Sequence, residues 1–352
     1  MGGTIDVGSL RRCSVHFVAS WHEPPHGLWA LSHLPQDRFA PRLLSCAPIP
    51  GSRTERLPPY LRESLALRAV RPDWRDTDVL ITWEMRAAVA ARLAFPTAGR
   101  PKRWLALGPI LKGPWRRFPG LARWVLKDAD RVACFTTAER DAYPAALSLP
   151  HERFTFLPTT WPTEPLSTED GGYVLALGQS GRDYPTLLEA ARGSGLPLVL
   201  VAATPAALGN VRVPANVTVR YRTDPAETDA LVRRATLHVV PLAESDVSAG
   251  QSVLLRAMAC GKAVIVTDTP GVRDYVRPGE TAITIPPGEP DALRAALCRL
   301  WHDPGERQRI GSNAHRAVRE QFGHEPFAAR LAALVEALAP PKAGSRITGK
   351  RR

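Results

Sequence analysis

Short β-branched runs alternate with helix-like segments along nearly the whole chain. In the first half the strand candidates are Ser14–Ala19, Arg42–Ala47, Asp78–Thr82, Arg103–Leu107, Arg131–Phe135 and Arg153–Leu157. Met85–Phe95, Leu121–Asp128 and Ala138–Leu147 lie between several of them with helical character. The pattern then restarts with Tyr173–Leu177, Leu196–Val201, Val217–Tyr221, Thr236–Val240, Ala263–Val266 and Ala282–Ile285. Regular alternation of this kind is what parallel sheets covered by helices on both faces require. Two such series predict an α/β protein with two Rossmann-like, doubly wound domains. The stretch 158–172, rich in Pro, Thr and Gly and poor in aliphatics, reads as the linker. After Pro287 the chain turns helical through Pro290–Trp301, Glu306–Phe322 and Pro326–Leu338, and Pro340-Pro341 end it. The predicted boundaries are a first domain over 1–160, a second over 161–322, a terminal helix over 323–340 and a disordered basic tail over 341–352.

A chain of 352 residues is long enough for two cores, and a hydrophobic content of 44% excludes global disorder. The five cysteines (Cys13, Cys46, Cys134, Cys260, Cys298) are odd in number and include no CxxC pair. Reduced thiols in a cytosolic setting fit this better than a disulfide framework or a zinc site. No uncharged apolar run approaches the ~18 residues of a membrane span, and the start MGGTIDVGSLRR has no apolar core, so no signal peptide is expected.

The net charge of +12 raises three readings: nucleic acid, an anionic membrane or a polyanionic substrate. Its placement narrows them. Gly99–Lys127 carries eight cations and no acid, interleaved with Trp104, Trp115, Phe118 and Trp124, and the last twelve residues add five more cations. The rest of the chain is close to neutral, which argues against a nucleic-acid-binding fold. The 99–127 stretch suits peripheral contact with an anionic membrane. It is equally consistent with a strand and helix bearing solvated arginines over buried tryptophans.

Ligands of open parallel sheets bind beyond the carboxyl ends of the strands. There, the loop Ser245–Gln251 joins a strand to the helical segment Ser252–Cys260, which stops at Gly261. Ser248, Ala249 and Gly250 bring backbone N–H groups together at the helix start, either to receive a phosphate or only to cap the helix. A second loop, Gly178–Asp183, opens a helix at Tyr184; its Arg182 either neutralises a phosphate or pairs with Asp183. In the first half, Ser20–Gly27 holds His22, Glu23 and His26 among prolines that prevent a helical HExxH arrangement. That loop reads as binding ligand hydroxyls rather than a metal. Glu84, just after a strand, either touches a ligand or serves the helix dipole. Thr136–Glu139 reads first as a capping box. Asp73, Asp76 and Asp78 alternate, but they lead into a strand at its amino end and make no plausible metal motif.

LLRAMACGKAVIVTDTPGVRDYV (254–276), with Gly279–Gly288 behind it, resembles the donor-domain signature of glycosyltransferase family 4. The resemblance extends back to Tyr173–Ala191 and forward through Asp303–Gly323; the first half matches only in pattern. It implies a GT-B fold whose terminal helix over 323–340 crosses back to the N-terminal domain, and a metal-free, retaining transfer from a nucleotide diphosphate sugar to the hydroxyl of a saccharide, a lipid-linked saccharide or a small molecule. No cofactor beyond that co-substrate and no nucleic-acid partner is expected. The implied location is cytoplasmic, peripheral at the inner face of the membrane. Carried over, the catalytic set is Arg182, Glu244 and Ser248. The nucleotide-sugar-binding set is Gly178, Gln179, Ser180, Tyr221, Gly250, Gln251, Ser252 and Arg256. The acceptor-binding set is His22, Glu23 and Glu84.

The family carries two glutamates eight positions apart where this chain has Ser248 and Arg256. A guanidinium only donates, so Arg256 cannot accept hydrogen bonds from ribose hydroxyls; Glu244 stands near enough in sequence to replace a carboxylate. Loss of both glutamates motivates the alternative of a non-catalytic nucleotide-sugar-binding homologue or scaffold subunit. A nucleotide-sugar epimerase ranks below that.

Overall fold

The computed structural model describes residues 12–19, 29–46, 57, 59–69, 74–221, 223–245 and 248–340. Their contacts separate two compact units. The first comprises the described residues up to Cys134, then Tyr143–Thr155 and the chain from Ala328; the second comprises Phe135–Ala142 and Phe156–Phe327.

The first unit is built on a six-stranded sheet: β1 (Cys13–Ala19), β2 (Phe39–Ser45), β3 (Val79–Trp83), β4 (Arg103–Leu107), β5 (Arg131–Cys134) and β6 (Phe154–Phe156). Its order is β2-β1-β3-β4-β5-β6, and β1 through β5 pair in parallel. The associated helices are α1 (Pro59–Ala69), α2 (Glu84–Ala98), α3 (Pro114–Arg117), α4 (Pro119–Leu126) and α5 (Thr137–Leu147). All five residues of β3 are buried, as a strand covered on both faces must be. Ala87, Ala88, Ala90, Ala91 and Ala94 let α2 lie close to the sheet. Trp74, Phe95 and Trp104 pack edge to face with ring centroids 5.3 Å apart at each contact. At the amino ends of the strands, Asp78 accepts from Ser14 N at 2.8 Å and Lys102 Nζ at 2.6 Å. Of the alternating aspartates, Asp78 is therefore a latch for β1, β3 and β4.

The second sheet comprises β7 (Val174–Leu177), β8 (Leu198–Ala202), β9 (Val217–Tyr221), β10 (Leu237–Val240), β11 (Val264–Thr267) and β12 (Ile283–Ile285). It is parallel throughout, in the order β12-β11-β10-β7-β8-β9. Around it lie α6 (Tyr184–Ala191), α7 (Pro225–Arg234), α8 (Gln251–Ala259), α9 (Pro290–His302) and α10 (Pro304–Ala317); α11 (His324–Leu338) follows and enters the first unit at Ala328. The helix expected over Glu306–Phe322 ends as α10 at Ala317, and the following turn widens into a π-helix over Val318–Phe322.

Both sheets are doubly wound, as expected. The winding reverses between β1 and β3 in the first and between β7 and β10 in the second. A crevice opens at the carboxyl end of each reversal. Among the described residues no helix is long and apolar enough to cross a membrane.

Candidate functional site

In the second unit the reversal point is built by two loops that lock together. The four residues of β7 are buried and deliver Gly178 at φ +129°, a conformation that favours glycine. A Cβ there would collide with the guanidinium of Arg182. That side chain folds back beneath its own loop, with Nε donating to Leu177 O at 3.0 Å and Nη1 to Ser180 O at 2.8 Å. Burial pulls its pKa below the usual arginine value, yet a guanidinium stays charged at neutral pH. Asp183 is not its partner: Asp183 Oδ1 caps α6 by accepting from Thr186 N at 3.1 Å. The Tyr184 hydroxyl fixes the loop from below, donating to Gly178 O at 2.7 Å, and burial pushes its pKa up to about 12.

The chain leaving β10 pairs antiparallel with this loop: Asp183 N donates to Pro241 O at 3.1 Å and Ala243 N to Gly181 O at 3.0 Å. Gly250, at φ +90°, opens α8, and a Cβ on it would stand 3.1 Å from Leu242 and 3.2 Å from Val240. The two loops approach so closely that a Cβ on Gly181 would meet Ala249 Cβ at 3.0 Å. At this point Ser248 is 6% exposed, and its hydroxyl has no hydrogen-bond partner among the described residues. A helix N-terminus, a half-buried guanidinium and a hydroxyl without a partner among the described residues thus converge beyond β7 and β10. Together they present donors and positive charge, the requirements of a phosphate site.

The other expected residues are distributed around this centre. Gln179, Ser180 and Ser252 are exposed, and Tyr221 is 41% exposed at the end of β9. Gln251 is buried, with Nε2 donating to Gly271 O at 2.6 Å, so it ties α8 to the loop after β11. Arg256 pairs with Asp229 of α7, and its guanidinium lies 5.5 Å from the Trp161 ring centroid. Two cavities flank the loops. One of about 230 Å³ lies between Gly178, Gln179, Ala203 and Thr223. A larger one of about 660 Å³ is lined by Glu244, Ser245, Asp268 and Arg273. Asp268 and Arg273 form a bidentate pair at 2.7 and 3.2 Å. Neither is among the site candidates drawn from the sequence, although both follow β11 at its carboxyl end.

The first unit has a corresponding feature. Glu84 leaves β3 at φ +65°, one of two such non-glycine residues among those described. Side chains rarely adopt this backbone, and such strain concentrates at functional positions. Glu84 opens a cavity of about 530 Å³ shared with Arg86, Gly108, Lys112 and Trp115. Desolvation raises its carboxyl pKa above the ordinary value, opposed by the charges of Arg86 and Lys112. Arg86 is itself 3.4 Å from Glu63, whose carboxyl is also raised, chiefly by burial. Lys112 went unnoticed as a site candidate because it stands in a basic run of no fixed period. His22 and Glu23 lie outside the described residues. Thr136 caps α5 as expected, its Oγ1 accepting from Glu139 N at 3.1 Å.

The chain is similar to several known proteins. D-rhamnosyltransferase WbpZ of Pseudomonas aeruginosa is 33% identical over 146 residues, 39% of this chain and 37% of that protein. A D-inositol 3-phosphate glycosyltransferase of Streptomyces bingchenggensis is 40% identical over 81 residues, 23% of this chain and 17% of that protein. The matched regions thus span little more than a third of the first of these curated relatives and about a sixth of the second. Among solved structures, sucrose-phosphate synthase from Thermosynechococcus elongatus superposes with a TM-score of 0.67 at 16% identity, over 93% of this chain and 99% of that one. The Anabaena protein Alr3699/HepE, solved with UDP, gives 0.64 at 15% identity, over 92% and 99%. At these identities the likeness is one of fold. The two doubly wound units therefore have the GT-B fold of glycosyltransferases, and residues 183–303 match the family described as Glycosyl transferases group 1.

Proposed function

We propose that this chain is a retaining glycosyltransferase that moves a sugar from a nucleotide diphosphate sugar to an acceptor hydroxyl. The observation that carries the reading is the Ser248 hydroxyl, buried at the start of α8 beside the Arg182 loop with no partner among the described residues. A diphosphate accepts from that hydroxyl and from the N–H groups opening α8, while Arg182 supplies the cation. The nucleoside end takes the smaller cavity, at Gly178 and Thr223, and the sugar takes the larger one beside Glu244. The names of the curated relatives, and the UDP and UDP-glucose held by the Anabaena protein, support a nucleotide sugar as donor.

In the reaction the bond from the anomeric carbon to the phosphate oxygen breaks, and its electron pair stays on the departing nucleoside diphosphate. The acceptor oxygen bonds to the same carbon on the same face. The leaving phosphate oxygen takes the acceptor's proton, so no protein base is needed. Arg182 and the α8 dipole stabilise the charge that develops, being fixed before the reaction begins. Glu84 accepts from a hydroxyl of the acceptor, a saccharide in our reading. Charge neutralisation by Arg182 and α8 makes a divalent metal dispensable.

The purified chain, incubated with UDP-, GDP- and dTDP-sugars in EDTA, should release nucleoside diphosphate from one donor class. Arg182→Ala should lower kcat/KM by about 100- to 1000-fold, as loss of one fixed transition-state donor does. No turnover of any donor, with nucleotide affinity unchanged in Arg182→Ala, overturns the assignment. Turnover that appears only when a divalent metal is restored removes the metal-free part alone.

A further inference from the structure

The aromatic and basic stretch identified in the sequence is only partly used inside the fold. α4 buries Ala122, Val125 and Leu126 against the first unit, and α3 buries Trp115. Phe118, Leu121 and Trp124 face outward, 57%, 43% and 40% exposed. Leu121 and Trp124, three apart on α4, are neighbours on its surface; Phe118 stands at the N-cap of α4 and Lys127 at its C-cap. Arg116, Arg117 and Lys127 are exposed around them, and no acid stands between Gly99 and Lys127. Among the described residues Arg117 and Lys127 make no ion pair.

This strip is firmly mounted. Arg123 donates to the carbonyls of Leu147 and Ser148 at the end of α5. From the other side, the Arg92 guanidinium lies 5.2 Å from the Trp124 ring centroid, donates to Trp124 O at 3.2 Å and pairs with Asp128 at 2.9 Å. The outward placement of three large apolar side chains is therefore built in, not the fraying of a loop.

We propose that α3 and α4 form an interfacial segment that docks the first unit on an anionic lipid surface. Phe118, Leu121 and Trp124 enter the headgroup boundary while Arg116, Arg117 and Lys127 meet lipid phosphates. Apolar side chains and cations on one face supply the two signals that reversible membrane attachment requires. A lipid surface fits better than single-stranded nucleic acid, because bases bind by stacking on aromatic platforms and Leu121 offers no stacking face. The inference does not depend on the transferase reading, since its test measures binding alone.

Co-sedimentation of the full chain with vesicles tests it. Binding is expected to phosphatidylcholine–phosphatidylglycerol vesicles and not to phosphatidylcholine alone, and it should weaken as salt screens the cations. The combined Phe118→Ser, Leu121→Ser, Trp124→Ser variant should bind at least about tenfold more weakly, since each buried apolar group contributes to partition. Arg117→Glu with Lys127→Glu, a purely surface change, should do the same without altering the melting temperature. Full binding retained by the charge-reversed variant would place attachment on the basic tail and overturn the proposal. Binding to single-stranded oligonucleotides but not to vesicles would overturn it in favour of nucleic acid.

Discussion

Leaving a buried hydroxyl without a partner costs about 1–3 kcal/mol, and among the described residues the Ser248 hydroxyl has none at the opening of α8. Its removal should separate stability from binding. Ser248→Ala is expected to leave the melting temperature unchanged or raised, while affinity for a nucleoside diphosphate, measured by calorimetry, falls about tenfold, the worth of one charge-assisted hydrogen bond. A lowered melting temperature with unchanged affinity would make the hydroxyl structural. The loop start at Ser248 was legible from its small residues, but its lack of a partner was not, because that depends on how two distant loops abut. Arg182 illustrates the same limit. Sequence offered a ligand phosphate or Asp183 as its partner, whereas the protein atoms it binds are the carbonyls of Leu177 and Ser180. The strain at Glu84 was likewise invisible, since a backbone angle at a strand-to-helix junction leaves no compositional trace.

Among the elements, β10 carries a titratable group into the core. His238 is 1% exposed; Nε2 faces Val232 O at 3.0 Å, and Nδ1 is buried without a partner among the described residues. Burial pulls its pKa down from 6.5 to about 4. Between those values the unfolded chain binds a proton that the folded chain refuses. Stability is therefore full above pH 6.5 and is lost as pH falls toward 4, by up to about 1.4 kcal/mol per pH unit. Urea unfolding at pH 7 and pH 5 should show this loss in the wild type and a smaller one in His238→Leu; equal losses would assign the acid sensitivity elsewhere. The strands were the most legible elements, because continuous apolar runs follow from burial on both faces. β2 begins at Phe39, three residues before the expected run at Arg42, since Pro41 reads as a break although an edge strand tolerates it. α7 buries only Val232 and shows no apolar stripe. Its signal lay in the cap, where Asp224 accepts from Glu227 N at 2.8 Å ahead of Pro225.

For the whole molecule, alternation of strands and helices announced two doubly wound units but not the strand order that places each crevice. Strand order depends on which loops cross over, and apolar periodicity does not encode that. Nor does periodicity encode that the first unit is discontinuous and takes in the chain from Ala328; the return of the terminal helix was an expectation from the family resemblance alone. In that last segment Leu331 and Val335 are fully buried. Burying the two contributes about 3–6 kcal/mol, a large share of the ~5–15 kcal/mol that holds a domain together. A chain truncated after Gly323 should therefore be cleaved by protease first within β1–β5, while the second unit still binds nucleoside diphosphate. Equal protease resistance of the first unit with and without α11 would show that the helix is dispensable. The discontinuity also reverses order during synthesis. The strands of the first unit leave the ribosome first, yet its final helix is made last, after Phe156–Phe327 has emerged. At ~5–20 residues per second that interval is roughly 9–35 s. Through it the nascent first sheet waits for its last helix, while the unit begun second is the first to be complete.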